Sequence, residues 1–258
     1  MDATVRRALA AIAGELQTTM ASVPGWAAAE GAAGVRASDL QRAVCDALQA
    51  QLGSVACVDG PLPAGAKECW AGWLGRTDVL ARIGEDSESY FETQLCGVDK
   101  LHESLWDALK LALFTALDEH RSGYLLYAAP ETGWAREAHH PEAVFAGGTH
   151  WLAELLHDRY RELWGWCLSG TRTTRPISLP CELRSWPIAS ATIRAPATDW
   201  ELRCVRVEGD AAAGWLRFNG DGWPLVEEDE EVAELAELEG AGEEEVDLAA
   251  SAEAREHA

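Results

Sequence analysis

The chain has 258 residues, 48% hydrophobic and 25% charged, enough apolar surface for one large core or two small ones. Its formal charge of −22 at pH 7 argues against a protein that holds nucleic acid by bulk positive charge. Seven cysteines, at 45, 57, 69, 96, 167, 181 and 204, include no CxxC pair and are odd in number. That argues against a zinc knuckle or disulfide framework and fits reduced thiols in a cytoplasmic protein.

The first segment, 1–37, reads as a helix and a linker. Val5, Leu9, Ile12, Leu16 and Met20 recur at helical spacing. The apolar stretch is too short for a signal peptide and ends at Glu15. Residues 22–37 are small and Gly-rich. A second helix follows Ser38 or Asp39 as its cap, with Leu40, Val44, Leu48 and Leu52 on one face and Gly53 at its end. Residues 68–83 read as one or two strands, 84–88 as a polar turn and 89–96 as a further strand. A long helix is expected over about 99–120, carrying Leu101, Leu105, Leu109, Ala112, Leu113, Ala116 and Leu117 as its apolar stripe. Residues 124–129 are apolar throughout, as in a strand buried on both faces. A second amphipathic helix is expected over 150–168. These elements make 38–170 an α/β core.

Residues 171–226 are expected to form a β-rich extension of short runs punctuated by Pro176, Pro180, Pro187 and Pro196, with a better strand at 200–208 and a final hairpin or extended piece at 214–226. From Glu227 to Ala258 there are fourteen acids and one base, so the segment reads as a disordered acidic tail or a transient helix. The twelve tryptophans read as bulky core anchors. No segment approaches the ~18 uninterrupted apolar residues of a membrane span, and no membrane partner is expected.

Two carboxylates stand out. With a turn centred on Glu85, an antiparallel hairpin places Asp78 opposite Glu92, and alternation puts Gln94 on their face. Two carboxylates ~5 Å apart repel in a half-buried site, and a divalent cation with hard oxygen ligands, Mg²⁺ or Mn²⁺, would relieve this. The bland counterpart has Asp78 solvated at a strand end and Glu92 paired with Arg76 or Arg82. His139, His140, Glu142 and His150 match no regular metal spacing, and no phosphate-cradling glycine loop is present.

Gly75-Arg76-Thr77-Asp78, thirteen further residues, and Glu92-Thr93-Gln94, within the order helix, three strands, helix, strand, resemble the PD-(D/E)XK nuclease superfamily over about residues 38–130. The resemblance implies a restriction-endonuclease-like mixed central sheet flanked by helices. It also implies metal-dependent hydrolysis of DNA, with Mg²⁺ or Mn²⁺ held by Asp78, Glu92 and the backbone carbonyl of Thr93. Gln94 stands where the superfamily has a lysine that positions and activates water, and Thr77 stands where it has proline. Lys100 or Lys110 on the next helix could supply the missing charge, and Asp46, rather than the capping Asp39, is the candidate for the further acid that the first helix of the family's core often contributes.

Two expectations follow, a nuclease acting on nucleic acid, or a catalytically inactive protein on the same scaffold that binds a basic partner protein. Segment 171–217, with seven arginines against five acids, is the candidate basic footprint, and the acidic tail could compete for it.

Overall fold

The computed structural model describes residues 1–22, 37–52, 56–70, 76–83, 87–95, 103–130, 142–154, 177–195, 198–218 and 224–225. The chain divides into a unit of Met1–Pro224 and a C-terminal unit of Leu225–Ala258, in which only Leu225 is described. The expectation of a disordered tail therefore lies outside the described residues.

Two helices open the chain, α1 (Asp2–Ser22) and α2 (Ala37–Leu52). The stripe Val5, Leu9, Ile12, Leu16 and Met20 is buried to 2% exposure or less, because residues three and four apart share one helix face. Strand β1 (Ala56–Gly60) follows, then a single turn α3 (Ala66–Cys69), β2 (Thr77–Ile83) and β3 (Ser87–Leu95). Helix α4 (Glu103–Ala116) leads into β4 (Arg121–Pro130). Next come α5 (Glu142–Ala146), β5 (Gly148–Trp151), α6 (Leu152–Glu154), β6 (Ile177–Ile193) and β7 (Trp200–Phe218), and the two-residue β8 (Pro224–Leu225).

Seven strands stand in the order β1-β2-β3-β4-β7-β6-β5. The pair β3–β4 is parallel, with α4 as its crossover, and the other pairs on this path are antiparallel, so the sheet is mixed. Helices cover both of its faces. Val79, Ala81, Phe91, Tyr124, Leu126 and Ala128 join the apolar stripes of α1 and α2. The alternate residues Leu80, Tyr90, Leu125, Tyr127 and Ala129 join α4. This two-sided burial is why 124–129 lacks polar alternation: Gly123–Pro130 is buried throughout.

Several sequence expectations are revised. The run expected as strand from residue 68 begins instead as the turn α3, whose entry at Gly65 has φ 87°. Helix α4 stops short of residue 120 because Asp118 accepts a hydrogen bond from the His120 amide (3.0 Å), a local turn that starts β4 at Arg121. The helix expected over 150–168 begins as β5 and the short α6, and from residue 155 it lies outside the described residues. Instead of short runs, the 171–226 segment supplies two long strands, β6 and β7, which continue the core sheet through β4. Pro180 and Pro187 do not end β6. Each sits at a shift of register, where a bulge absorbs the ladder N–H that proline lacks. Trp70 and Trp200 are core residues as expected, but Trp151, Trp186 and Trp215 are 38–49% exposed.

Two tethers fix the layers. On one face, the Tyr124 hydroxyl donates to Asp2 of α1 (2.6 Å), and Arg206 of β7 joins Asp2 and Glu208. On the other, the Gly209 amide donates to Thr115 Oγ1 of α4 (2.9 Å). A Cβ on Gly209 would lie 2.2 Å from the Ala112 carbonyl oxygen, so only glycine lets β7 approach α4 this closely. Gly209→Ala is expected to destabilise the protein by about 1–3 kcal/mol, as overpacking does. Unchanged chemical denaturation would contradict this close approach.

Candidate active site

The β2–β3 hairpin has the register that the sequence implies: Val79 opposes Phe91, Leu80 opposes Tyr90 and Arg82 opposes Glu88. Asp78 and Glu92 are the next residues on each strand. Asp78 is partly buried, and its Oδ2 accepts both the Thr93 amide (2.7 Å) and the Thr93 hydroxyl (3.0 Å). Gln41 of α2 adds a further side-chain hydrogen bond. Thr93 thus orients the Asp78 carboxylate across the hairpin. Helix α2 brings Gln41 to Asp78, whereas its Asp46 is exposed and its Asp39 lies 3.8 Å from Arg42.

Glu92 is a carboxylate in the core, 2% exposed. Its partner is neither Arg76 nor Arg82. The Lys110 ammonium, carried by α4, lies 2.8 Å from Glu92 Oε1, and the two side chains are only 6% and 3% exposed. Arg82 pairs instead with Glu88 (3.2 Å). Lys110 also donates to the Arg76 carbonyl (2.7 Å), which ties α4 to the start of β2. Oε1 of Glu92 is sealed from solvent and lacks a hydrogen bond of good angle, so its contact with Lys110 is chiefly one of charge.

A third carboxylate, Asp107, sits one helical turn before Lys110, half-buried, and accepts a hydrogen bond from the Tyr127 hydroxyl of β4. Gln94, also half-buried, lies beside Tyr127 across the β3–β4 ladder. The site therefore draws Asp78 from β2, Glu92, Thr93 and Gln94 from β3, Tyr127 from β4, and Asp107 and Lys110 from α4. Lys100, His139 and His140 lie outside the described residues. His150 is far along the sheet on β5, 3.5 Å from Ser185.

The electrostatics follow from the burial. Desolvation pushes the Glu92 carboxyl well above the ordinary carboxylate range. The Lys110 ammonium opposes this, while the charges of Asp107 and Asp78 add to it. Burial also raises Asp78, against the hydrogen bonds from Thr93, the charge of Lys110 and the bond from Gln41. Fully ionised, the cluster holds three carboxylates and one ammonium, an excess of negative charge that favours a proton on Glu92. Among the described residues, no group of three His, Cys, Asp or Glu side chains is gathered closely enough to hold a metal ion, so a cation here needs backbone or water oxygens besides the carboxylates.

The candidate basic footprint is weak. Arg184 pairs with Glu182 and Asp210, Arg203 with Glu201, and Arg206 with Asp2 and Glu208. Arg194 and Arg217 are exposed, and Arg172 and Arg175 lie outside the described residues. No helix among the described residues is long and apolar enough to cross a membrane. No protein-family model matches the chain, and no curated protein or solved structure shows significant similarity to it.

Proposed function

We propose that the chain is a metal-dependent phosphodiesterase of the PD-(D/E)XK type acting on DNA, in which the lysine has moved from the Gln94 position to α4. The observation that carries this reading is the Lys110 ammonium 2.8 Å from the buried Glu92 carboxylate. A lysine and a glutamate in a helix–sheet core are costly, and apolar residues of similar size would often serve stability as well or better. Such a pair, beside a second carboxylate whose orientation is fixed by Thr93, is accounted for by chemistry more readily than by packing. The order α2-β1-β2-β3-α4-β4, interrupted only by the turn α3, supports the same reading.

The donor set fits a hard divalent cation: Asp78 and Glu92 offer carboxylate oxygens in a cluster with excess negative charge, and Glu92 Oε1 lacks a well-directed hydrogen bond. Asp78, Glu92 and the Thr93 carbonyl would hold Mg²⁺ or Mn²⁺, which when bound makes water acidic and stabilises charge on a phosphate. Thr93 holds the Asp78 carboxylate in one orientation. Lys110 would supply a fixed positive charge beside Glu92, to offset the negative charge that gathers as a phosphate is attacked. Gln94 contributes an amide that can orient water without adding charge.

One observation favours a second reading. Among the described residues, three arginines of the 171–217 segment already pair with acids, which lowers the charge available to a phosphate backbone. A catalytically inactive protein that binds a basic partner protein would need none. The test is incubation of wild type and Asp78→Ala with single- and double-stranded DNA and with RNA, in Mg²⁺ and in Mn²⁺. The melting temperature is read in parallel, because a cation bound to the native state must stabilise it. Wild type is expected to cleave DNA and to melt higher with cation, and Asp78→Ala to lose both. If neither protein cleaves and wild type shows no cation-dependent shift, the partner-binding reading replaces the nuclease.

A further inference from the structure

Asp107 and Tyr127 have no place in the nuclease motif, yet they converge on its centre. Tyr127 is a fully buried core residue whose hydroxyl is directed at the Asp107 carboxylate. Asp107 lies three residues before Lys110, so the two project from neighbouring positions of α4. Among the like charges acting on Glu92, that of Asp107 outweighs that of Asp78. The Asp107 carboxylate is partly buried and is held by a hydrogen bond from a strand that is buried at this point.

We propose that Asp107, fixed by the Tyr127 hydroxyl, is a positioning residue of the same centre, acting through the Glu92–Lys110 pair to set how tightly a divalent cation is held. This rests on the metal-dependent reading above. The Asp107 charge adds to the negative field that Glu92 already feels, and that field favours a cation bound at the Glu92 carboxylate over a site neutralised by Lys110 alone. Tyr127 limits the rotamers of Asp107, so that its charge stays directed at the pair rather than at solvent. Partners of this kind, which orient ligands without being ligands, typically change metal affinity by about 10–100-fold when removed.

The experiment is Mn²⁺ binding to the full chain without substrate, measured by the electron paramagnetic resonance signal of free Mn²⁺, for wild type, Asp78→Ala, Asp107→Asn and Tyr127→Phe, with the cation-free melting temperature of each. Asp107→Asn is expected to weaken Mn²⁺ binding by about 10–100-fold. Its cation-free melting temperature is expected to stay the same or rise, because a repulsive charge has been removed from a buried cluster. A merely structural role would instead lower that temperature. Tyr127→Phe is expected to weaken binding in the same direction by a smaller factor, and Asp107→Glu to restore part of the loss. Wild-type affinity in Asp107→Asn alongside lost binding in Asp78→Ala would overturn the role of Asp107 and leave the metal-dependent reading standing. No Mn²⁺ binding by wild type would overturn both.

Discussion

Replacing Lys110 by Met is expected to destabilise the protein by about 3–5 kcal/mol, the usual cost of stranding one partner of a buried ion pair. At this chain size that corresponds to roughly 2–4 °C of melting temperature per kcal/mol. The volume and helix propensity of the side chain are nearly retained, so the loss reports charge. Glu92 would remain in the core with two further carboxylates nearby and no ammonium. The effect has a definite pH dependence. A carboxyl whose folded pKa is raised costs nothing below its unfolded pKa, about 4.5 for Glu, and costs progressively more as pH rises toward the folded value. Removing Lys110 raises that folded value further. The deficit of Lys110→Met relative to wild type should therefore be small near pH 4.5 and grow toward pH 8. Adding Glu92→Gln should recover much of the loss at pH 8, because both charges are then gone. Urea denaturation of the four proteins of this cycle at both pH values measures the coupling. A Lys110→Met variant as stable as wild type at pH 8 would mean that the pair does not exist in solution.

The hairpin register was legible in the sequence because a turn centre and a period of two fix it, and the stripes of α1 and α4 were legible because they repeat at helical spacing. Sequence patterns also brought Asp78 and Glu92 to adjacent places on paired strands. The partner of Glu92 is a different matter. Lys110 is eighteen residues away on another element, and only the docking of α4 on the sheet decides whether it reaches back or faces water. A signal was present: the chain has three lysines, and one stands between Leu109 and Leu111 in a strongly apolar helix. Asp107 and Tyr127 gave no such sign, since an acid on a helix and a tyrosine in a buried strand are both ordinary. The length of β6 was hidden for another reason. Proline commonly marks the end of a strand, and here two bulges carry the strand past Pro180 and Pro187.

Moving the positive charge back to β3 provides the sharpest functional test. If Lys110 does from α4 what the superfamily's lysine does from the third position of its motif, Lys110→Gln should lower DNA cleavage by about 10²–10⁴-fold, the range associated with losing a positioned proton-transfer group. Glutamine is preferred to methionine here because it can still donate to the Arg76 carbonyl and so preserve the tie between α4 and β2. Adding Gln94→Lys to that variant should recover at least a tenth of wild-type cleavage. Gln94 lies on the same face of β3 as Glu92, two residues along, and is only half-buried, so an ammonium there can approach the pair without complete desolvation. Gln94→Lys alone should change cleavage little, because the centre would then hold two ammonium groups against three carboxylates and remain negative. Rescue by the double substitution would show that the charge, rather than the helix that bears it, is what the reaction requires. Failure of rescue in a folded double variant, after clear loss in Lys110→Gln, would instead assign Lys110 a role that depends on its place in α4, such as holding Glu92 and the Arg76 carbonyl in register.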